Sequence, residues 1–155
     1  MLMEILFSPV LFLVGYTLNS IFAARIMKLT DESKSFYLAV YLVASKIPYG
    51  KVISYGHIAY LLGKPQNARQ VGSSMKHLDM IVQALNAELP EEEQLDRQAL
   101  PWWRVVSSAG KISPRGNSSS EFRQAEILRS EKVEVSDALF IDLQEFGWFP
   151  EDVDY

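Results

Sequence analysis

Residues 5–24 form an apolar run without a charged side chain, and Arg25 and Lys28 follow it. Such a run is long enough to cross a bilayer as a helix. Pro9, Gly15, Asn19 and Ser20 interrupt it, and Glu4 is the wrong charge for the basic start of a secretory signal. Three readings stay open for residues 1–28: a membrane anchor, a cleaved signal, or a leader before a working start at Met27. Beyond it the pattern changes. Phe36, Val40 and Val43 recur at helical spacing and predict a helix over 33–46, capped by Asp31 or Ser33. Ile47-Pro48-Tyr49-Gly50 ends it, because proline restricts the residue before it and glycine favours a turn.

Lys51 to Ser54 is short and extended. Ser54 is placed to cap a helix over Tyr55–Leu62, which Gly63 closes. Pro65-Gln66-Asn67 breaks the chain, and Asn67 is placed to cap a second helix from Ala68 to about Leu78. Two short helices joined by Gly63-Lys64-Pro65 read as a helix-turn-helix. The second helix has small residues at Ala68, Gly72, Ser73 and Ser74, with Arg69 as a long cation near its start. Small side chains permit close approach to a DNA groove or to a neighbouring helix, and both readings stand. Residues 79–100 carry six acids and one arginine, and read as a solvated insertion, partly helical around Val82–Leu89. A hairpin is expected from Arg104–Val106 to Lys111–Ile112. Ser118–Arg129 reads as a helix, Val133–Val135 and Leu139–Ile141 as extended pieces, and Phe146–Pro150 as an aromatic tail docked on the body. The fold class is α/β in the mixed, α+β sense, with one domain over 29–155.

Composition narrows the chemistry. The 155 residues support one domain, and none of them is cysteine. That excludes disulfides, thiolate metal sites and thiol nucleophiles. His57 and His77 alone make no zinc site, and neither a metal nor a cofactor is implied. The net charge of −4 argues against nucleic acid until its distribution is considered. No acid lies between Ala44 and Leu78 or between Pro101 and Ser120, and these stretches hold eight of the 15 basic residues. A local basic face on an acidic protein suits phosphate binding, although charge clusters are often only solvated faces.

Three runs in order, IPYGKVISYGHIA, NARQVGSSMKHL and PWWRVVSSAGKIS, closely resemble the DNA-binding domain of O6-alkylguanine-DNA alkyltransferases. The resemblance is closer still to the alkyltransferase-like proteins, which lack the acceptor cysteine. It covers about Ser35 to Pro150 outside the insertion. It implies a winged helix-turn-helix, minor-groove binding, flipping of an alkylated guanine into a pocket, and marking of the lesion for nucleotide excision repair. The implied partners are duplex DNA containing O6-alkylguanine and excision-repair proteins. The protein would act as a monomer, in the nucleus or, in a prokaryote, the cytoplasm.

The resemblance assigns roles by position. Arg69 matches the arginine that fills the base stack after flipping, with a plain phosphate contact as its alternative. Tyr55 matches the tyrosine that helps rotate the target nucleotide, or else packs structurally. Ala68, Gly72 and Ser73 match small residues facing the groove. Arg115 matches an arginine reaching the lesion from the binding loop, or else a phosphate. Trp102 matches the cysteine and offers an apolar pocket wall without a nucleophile. Trp103 stands where the family keeps histidine, so the general base is gone as well. The pair could instead form a hydrophobic corner. Glu131 matches the glutamate that ends the transferases' relay, and here its role would be structural. Trp148 would pack over the pocket side. The competing functions are a sequence-reading winged-helix regulator and a decayed transferase with residual activity. Only Gln70 and Arg69 offer base readout on the second helix, which disfavours the regulator.

Overall fold

A computed structural model of the chain describes residues 30–114 and 118–155. Helix α1 spans Asp31–Ala44. Its cap is Thr30, whose hydroxyl oxygen accepts from the Ser33 N–H at 3.3 Å, so the helix starts just before the expected Asp31 or Ser33 cap. Asp31 and Glu32 then sit in the first turn, where the helix dipole favours negative charge. Phe36, Val40, Tyr41, Val43 and Ala44 face the core.

Strand β1, Ile53–Ser54, pairs in parallel with β2, Val105–Val106, with Ile53 opposite Val105 and Ser54 opposite Val106. Parallel neighbours require a crossover connection. Here the crossover contains the helix-turn-helix. Ser54 caps α2, Tyr55–Leu61, by accepting from the His57 N–H at 3.1 Å. Gly63, at φ +69°, ends α2 in a left-handed turn: its N–H donates to the Tyr60 carbonyl and the Lys64 N–H to the Ala59 carbonyl. A single 3₁₀ turn, Pro65–Asn67, leads into α3, Ala68–Lys76. Asn67 makes no side-chain cap; its amide donates to the Gln70 side chain at 3.0 Å instead.

Helix α3 is clearly two-sided. Val71, Ser74 and Met75 are buried at helical spacing, while Arg69, Ser73 and Lys76 form an exposed stripe opposite them. The Tyr41 phenol, fully buried in α1, donates to the Ser74 carbonyl at 2.8 Å and ties α3 to the core.

The expected solvated insertion is only half correct. Residues Leu78–Asn86 form helix α4, and Ile81, Val82 and Leu85 are buried with Leu100 in the main core. Apolar residues on one side of α4 outweigh the acidic composition around it. The exposed part is the acidic stretch Glu91–Glu93 and its neighbours.

A second core lies under helix α5, Ser118–Ser130, and contains Val52, Val106, Ile112, Ala125, Leu128, Val133, Val135 and Ile141. The turn at 107–111 closes as expected, with the Ser107 N–H donating to the Lys111 carbonyl at 3.1 Å. Its ladder partner differs from expectation. Lys111 bridges Phe140 in antiparallel fashion, and the Ile141 N–H donates to the Gly110 carbonyl at 2.9 Å. Gly110 is required there: a Cβ would lie 2.3 Å from the Ile141 carbonyl oxygen. Leu139–Ile141 therefore pairs with the turn, whereas Val133–Val135 packs without joining a strand. The tail docks as expected. It follows the short helix α6, Leu143–Phe146, and the Trp148 N–H donates to the Val52 carbonyl at 2.7 Å. Among the described residues no helix is long and apolar enough to cross a membrane, and the apolar run at 5–24 lies outside them.

Tyr41→Phe removes the buried phenol that holds α3. We expect a loss of about 1–2 kcal/mol in folding stability, read by urea unfolding with an unchanged m-value. A variant as stable as the parent would show that the bond to Ser74 contributes nothing.

Candidate nucleic-acid interface

The exposed stripe of α3 brings Arg69 and Ser73 to one surface. Ala68 and Gly72 are half-buried beside them. Tyr55, the first residue of α2, lies against Gly72: a Cβ at Gly72 would sit 3.9 Å from its ring, an ordinary contact. Packing within the chain therefore does not demand glycine at 72. Arg115 lies outside the described residues.

At the C-terminal end of α3 an open cleft of ≈ 910 Å³ separates the helix from the start of α5. Met75, Lys76 and His77 at the end of α3, Trp102, and Ser119 and Ser120 of α5 are among its lining residues. Burial pushes the His77 imidazole below the usual histidine value, and the nearby Lys76 charge adds to that.

The two tryptophans part company here. Pro101 leads into a single 3₁₀ turn, Trp102–Arg104, which sets the rings edge to face with centroids 6.0 Å apart. Trp102 packs on the main core and lines the cleft. Trp103 packs on the second core and is not among the cleft's lining residues, so it backs the wall rather than forming it. Its indole N–H donates to Glu131 Oε1 at 2.7 Å.

Glu131 is 6% exposed and sits in a dense set of donors. Arg104 Nε donates to Oε2 at 2.9 Å and Arg104 Nη2 to Oε1 at 2.8 Å, a two-pronged clamp. The Gly50 N–H donates to Oε2 at 3.1 Å, and Arg104 Nη1 reaches the Ile47 carbonyl at 2.8 Å. Burial pushes the Glu131 carboxyl up, but the hydrogen bonds from Arg104, Trp103 and Gly50 and the Arg104 charge outweigh it and hold the group below the usual glutamate value. Buried Gln124 straps the same turn, donating to the carbonyls of Trp103 and Val105 at 3.0 and 3.1 Å.

These contacts revise the expected basic face. Arg104 faces inward to Glu131, and Lys64 is paired with Glu32 at 2.7 Å. Lys51 donates to the Glu145 carbonyl at 3.0 Å. Arg69 and Lys76 remain as the outward cations of α3. Trp148 packs on the main core and does not line the cleft. Sequence reasoning missed Met75 and the inward turn of Arg104. The spacing of Met75 from Val71 carried a signal, since both fall on the buried face of α3.

Comparison with known proteins agrees with this architecture. Residues 35–133 match the family described as 6-O-methylguanine DNA methyltransferase, DNA binding domain. The chain is 40% identical over 119 residues to alkyltransferase-like protein 1 of Schizosaccharomyces pombe, covering 74% of this chain and 95% of that protein. It is 37% identical over 135 residues to the DNA base-flipping protein of Escherichia coli, covering 84% of this chain and 91% of the relative. The crystal structure of S. pombe Atl1 in complex with damaged DNA containing O6-carboxymethylguanine superposes with a TM-score of 0.58 at 39% identity, over 79% of this chain and 99% of that one. The chain belongs to the DNA-binding-domain family of the 6-O-methylguanine DNA methyltransferases. Within it, the chain is similar to alkyltransferase-like and base-flipping proteins.

The clamp on Glu131 makes stability depend on pH. A carboxyl whose native pKa is lowered contributes above its unfolded value and loses that contribution as pH falls through the native one. Stability is expected to hold above about pH 5 and to decline below about pH 4.3. Glu131→Gln should flatten that decline. It should also cost about 3 kcal/mol at neutral pH by leaving Arg104 buried without its partner. Unfolding curves of both proteins between neutral and acid pH measure this, and parallel curves would remove Glu131 as the titrating group.

Proposed function

We propose that this protein binds O6-alkylguanine in duplex DNA, flips the base into the cleft beside Trp102, and leaves the alkyl group in place. The observation that carries the reading is the pair of indoles. Trp102 lines the cleft and Trp103 directs its N–H to Glu131; the sequence resemblance matches the two to the family's acceptor cysteine and histidine. A thiolate nucleophile and its activating imidazole are both replaced by groups that neither attack nor accept a proton. What remains is an apolar wall suited to a base.

The HTH surface supplies the approach to DNA. Arg69 is exposed at the start of α3 and can stack into the gap left by the flipped nucleotide. Ala68, Gly72 and Ser73 leave the surface around it low, and Gly72 has room for a methyl group on the inner side. Tyr55 braces this surface and is suited to turning the target nucleotide. Arg115 would reach the lesion from the loop before α5. A bound, unrepaired lesion marks the site, and nucleotide excision repair is the pathway that removes such marked bases, in a nucleus or a bacterial cytoplasm. The names of the relatives and the damaged DNA in the Atl1 complex support this reading.

Titration of a guanine duplex and an O6-methylguanine duplex at matched salt tests it. Tighter binding of the modified duplex is expected, with affinity falling steeply as salt rises. Equal affinity for the two would end the lesion assignment. Arg69→Ala should weaken lesion binding about tenfold or more and abolish the fluorescence rise of 2-aminopurine beside the lesion. Peptide mapping after incubation should find no alkylated protein, for the parent or for Trp102→Cys, because Trp103 still occupies the position of the activating histidine.

A further inference from the structure

Tyr55 is gripped from both sides by the C-terminal tail. Just before it in the chain, the Val52 N–H donates to the Phe146 carbonyl at 2.9 Å, and the Val52 carbonyl accepts from the Trp148 N–H at 2.7 Å. Just after it, His57 Nε2 lies 2.7 Å from the Pro150 carbonyl oxygen. A carbonyl can only accept, so Nε2 carries the proton and donates. Tyr55 thus sits in a short segment whose two ends are tied to the same strap.

The His57 imidazole makes two ring contacts as well. Phe149 meets it edge to face with centroids 5.1 Å apart, and Tyr60 of the same helix lies at 5.4 Å. Both rings are largely exposed, so the contacts are made at the surface and not within a core. Core packing fixes the body of α2 through the buried Ile58 and Ala59. Its first turn, Tyr55, Gly56 and His57, is only half-buried. A first turn has few hydrogen bonds of its own and opens easily. Here it depends on the Ser54 cap, which accepts from the His57 N–H at 3.1 Å, and on the bond from the His57 ring to the tail. A shift of the tail therefore moves the turn that carries Tyr55, whose ring lies against Gly72 of α3.

We propose that His57 is a positioning residue for base flipping: latched to Phe149 and Pro150, it holds the first turn of α2 so that Tyr55 is presented to the nucleotide being rotated. This rests on the lesion-binding reading above. The aromatic tail thereby belongs to the flipping machinery, and the role requires no contact between the tail and DNA.

Stopped-flow fluorescence of 2-aminopurine beside O6-methylguanine, at saturating protein, reads the rate of flipping apart from affinity. His57→Phe keeps an aromatic ring and removes the donor. It should slow flipping about fivefold while binding of an unmodified duplex stays within about twofold of the parent. His57→Gln, whose amide can donate to the same carbonyl, should flip within about twofold of the parent rate. Phe149→Ala should slow flipping about threefold from the tail side. Tyr55→Phe removes the hydroxyl that the latch would position, so in that background His57→Phe should slow flipping by no more than about twofold. An unchanged rate in His57→Phe overturns the assignment. So does the same loss with and without the Tyr55 hydroxyl, which would make the latch general support. A His57→Gln variant as slow as His57→Phe overturns the hydrogen-bonded latch. A parent that gives no fluorescence rise on the lesion duplex, and binds it no more tightly than guanine duplex, overturns the lesion reading and the assignment together. Thermal unfolding of each variant keeps the comparison among folded proteins.

Discussion

A buried carboxylate that has to stay ionised organises this molecule. Glu131 directly follows α5, yet its oxygens collect donors from the Gly50 turn, from Trp103 and from Arg104. Removing a carboxylate from water costs several kcal/mol, and only a full set of donors offsets that. Each donor is consequently held in place by the others' need. Arg104 carries the link onward to the Ile47 carbonyl, at the end of the loop that leaves α1. Three segments far apart in sequence, the 47–50 loop, the Trp102–Arg104 turn and Glu131, are locked at one point.

That lock also fixes the indole next to the cleft's Trp102. Trp103 is fixed by its bond to Glu131 and by the second core, and Trp102 leans edge-on against it from the main core. The indole pair sits where the two cores meet. The recognition surface is fixed independently, through the Tyr41 phenol and the carbonyl of Ser74. Wall and reading helix are thus anchored separately but share one cleft.

The local elements were legible because their signals are local. Ser54 as a cap and Gly63 as a stop need only neighbours within a turn, and both act as read. Family motifs located Tyr55, Arg69, Gly72 and Trp102 on the helix-turn-helix and beside the cleft. What escaped was non-local. The acids of 79–100 masked the apolar face of α4, since composition averages over the two sides of a helix. Arg104 looked like part of a basic face because its partner lies 27 residues away. Nor does adjacency in sequence say that the side chains of Trp102 and Trp103 diverge into different cores.

The pairing of Ile53 with Val105 has a consequence for how the chain is made. The helix-turn-helix and α4 both lie inside the loop that this pairing closes. Long-range strand pairing is slow, since the entropy of closing the loop is lost before any contact repays it. During synthesis the reading helix emerges well before Val105 and Glu131 exist to brace it. A nascent or truncated chain ending in the insertion would carry the sequence of α3 without the Trp102 wall of the cleft beside it. The exposed face of α3 and the cleft it borders therefore arise at different moments in the life of one polypeptide.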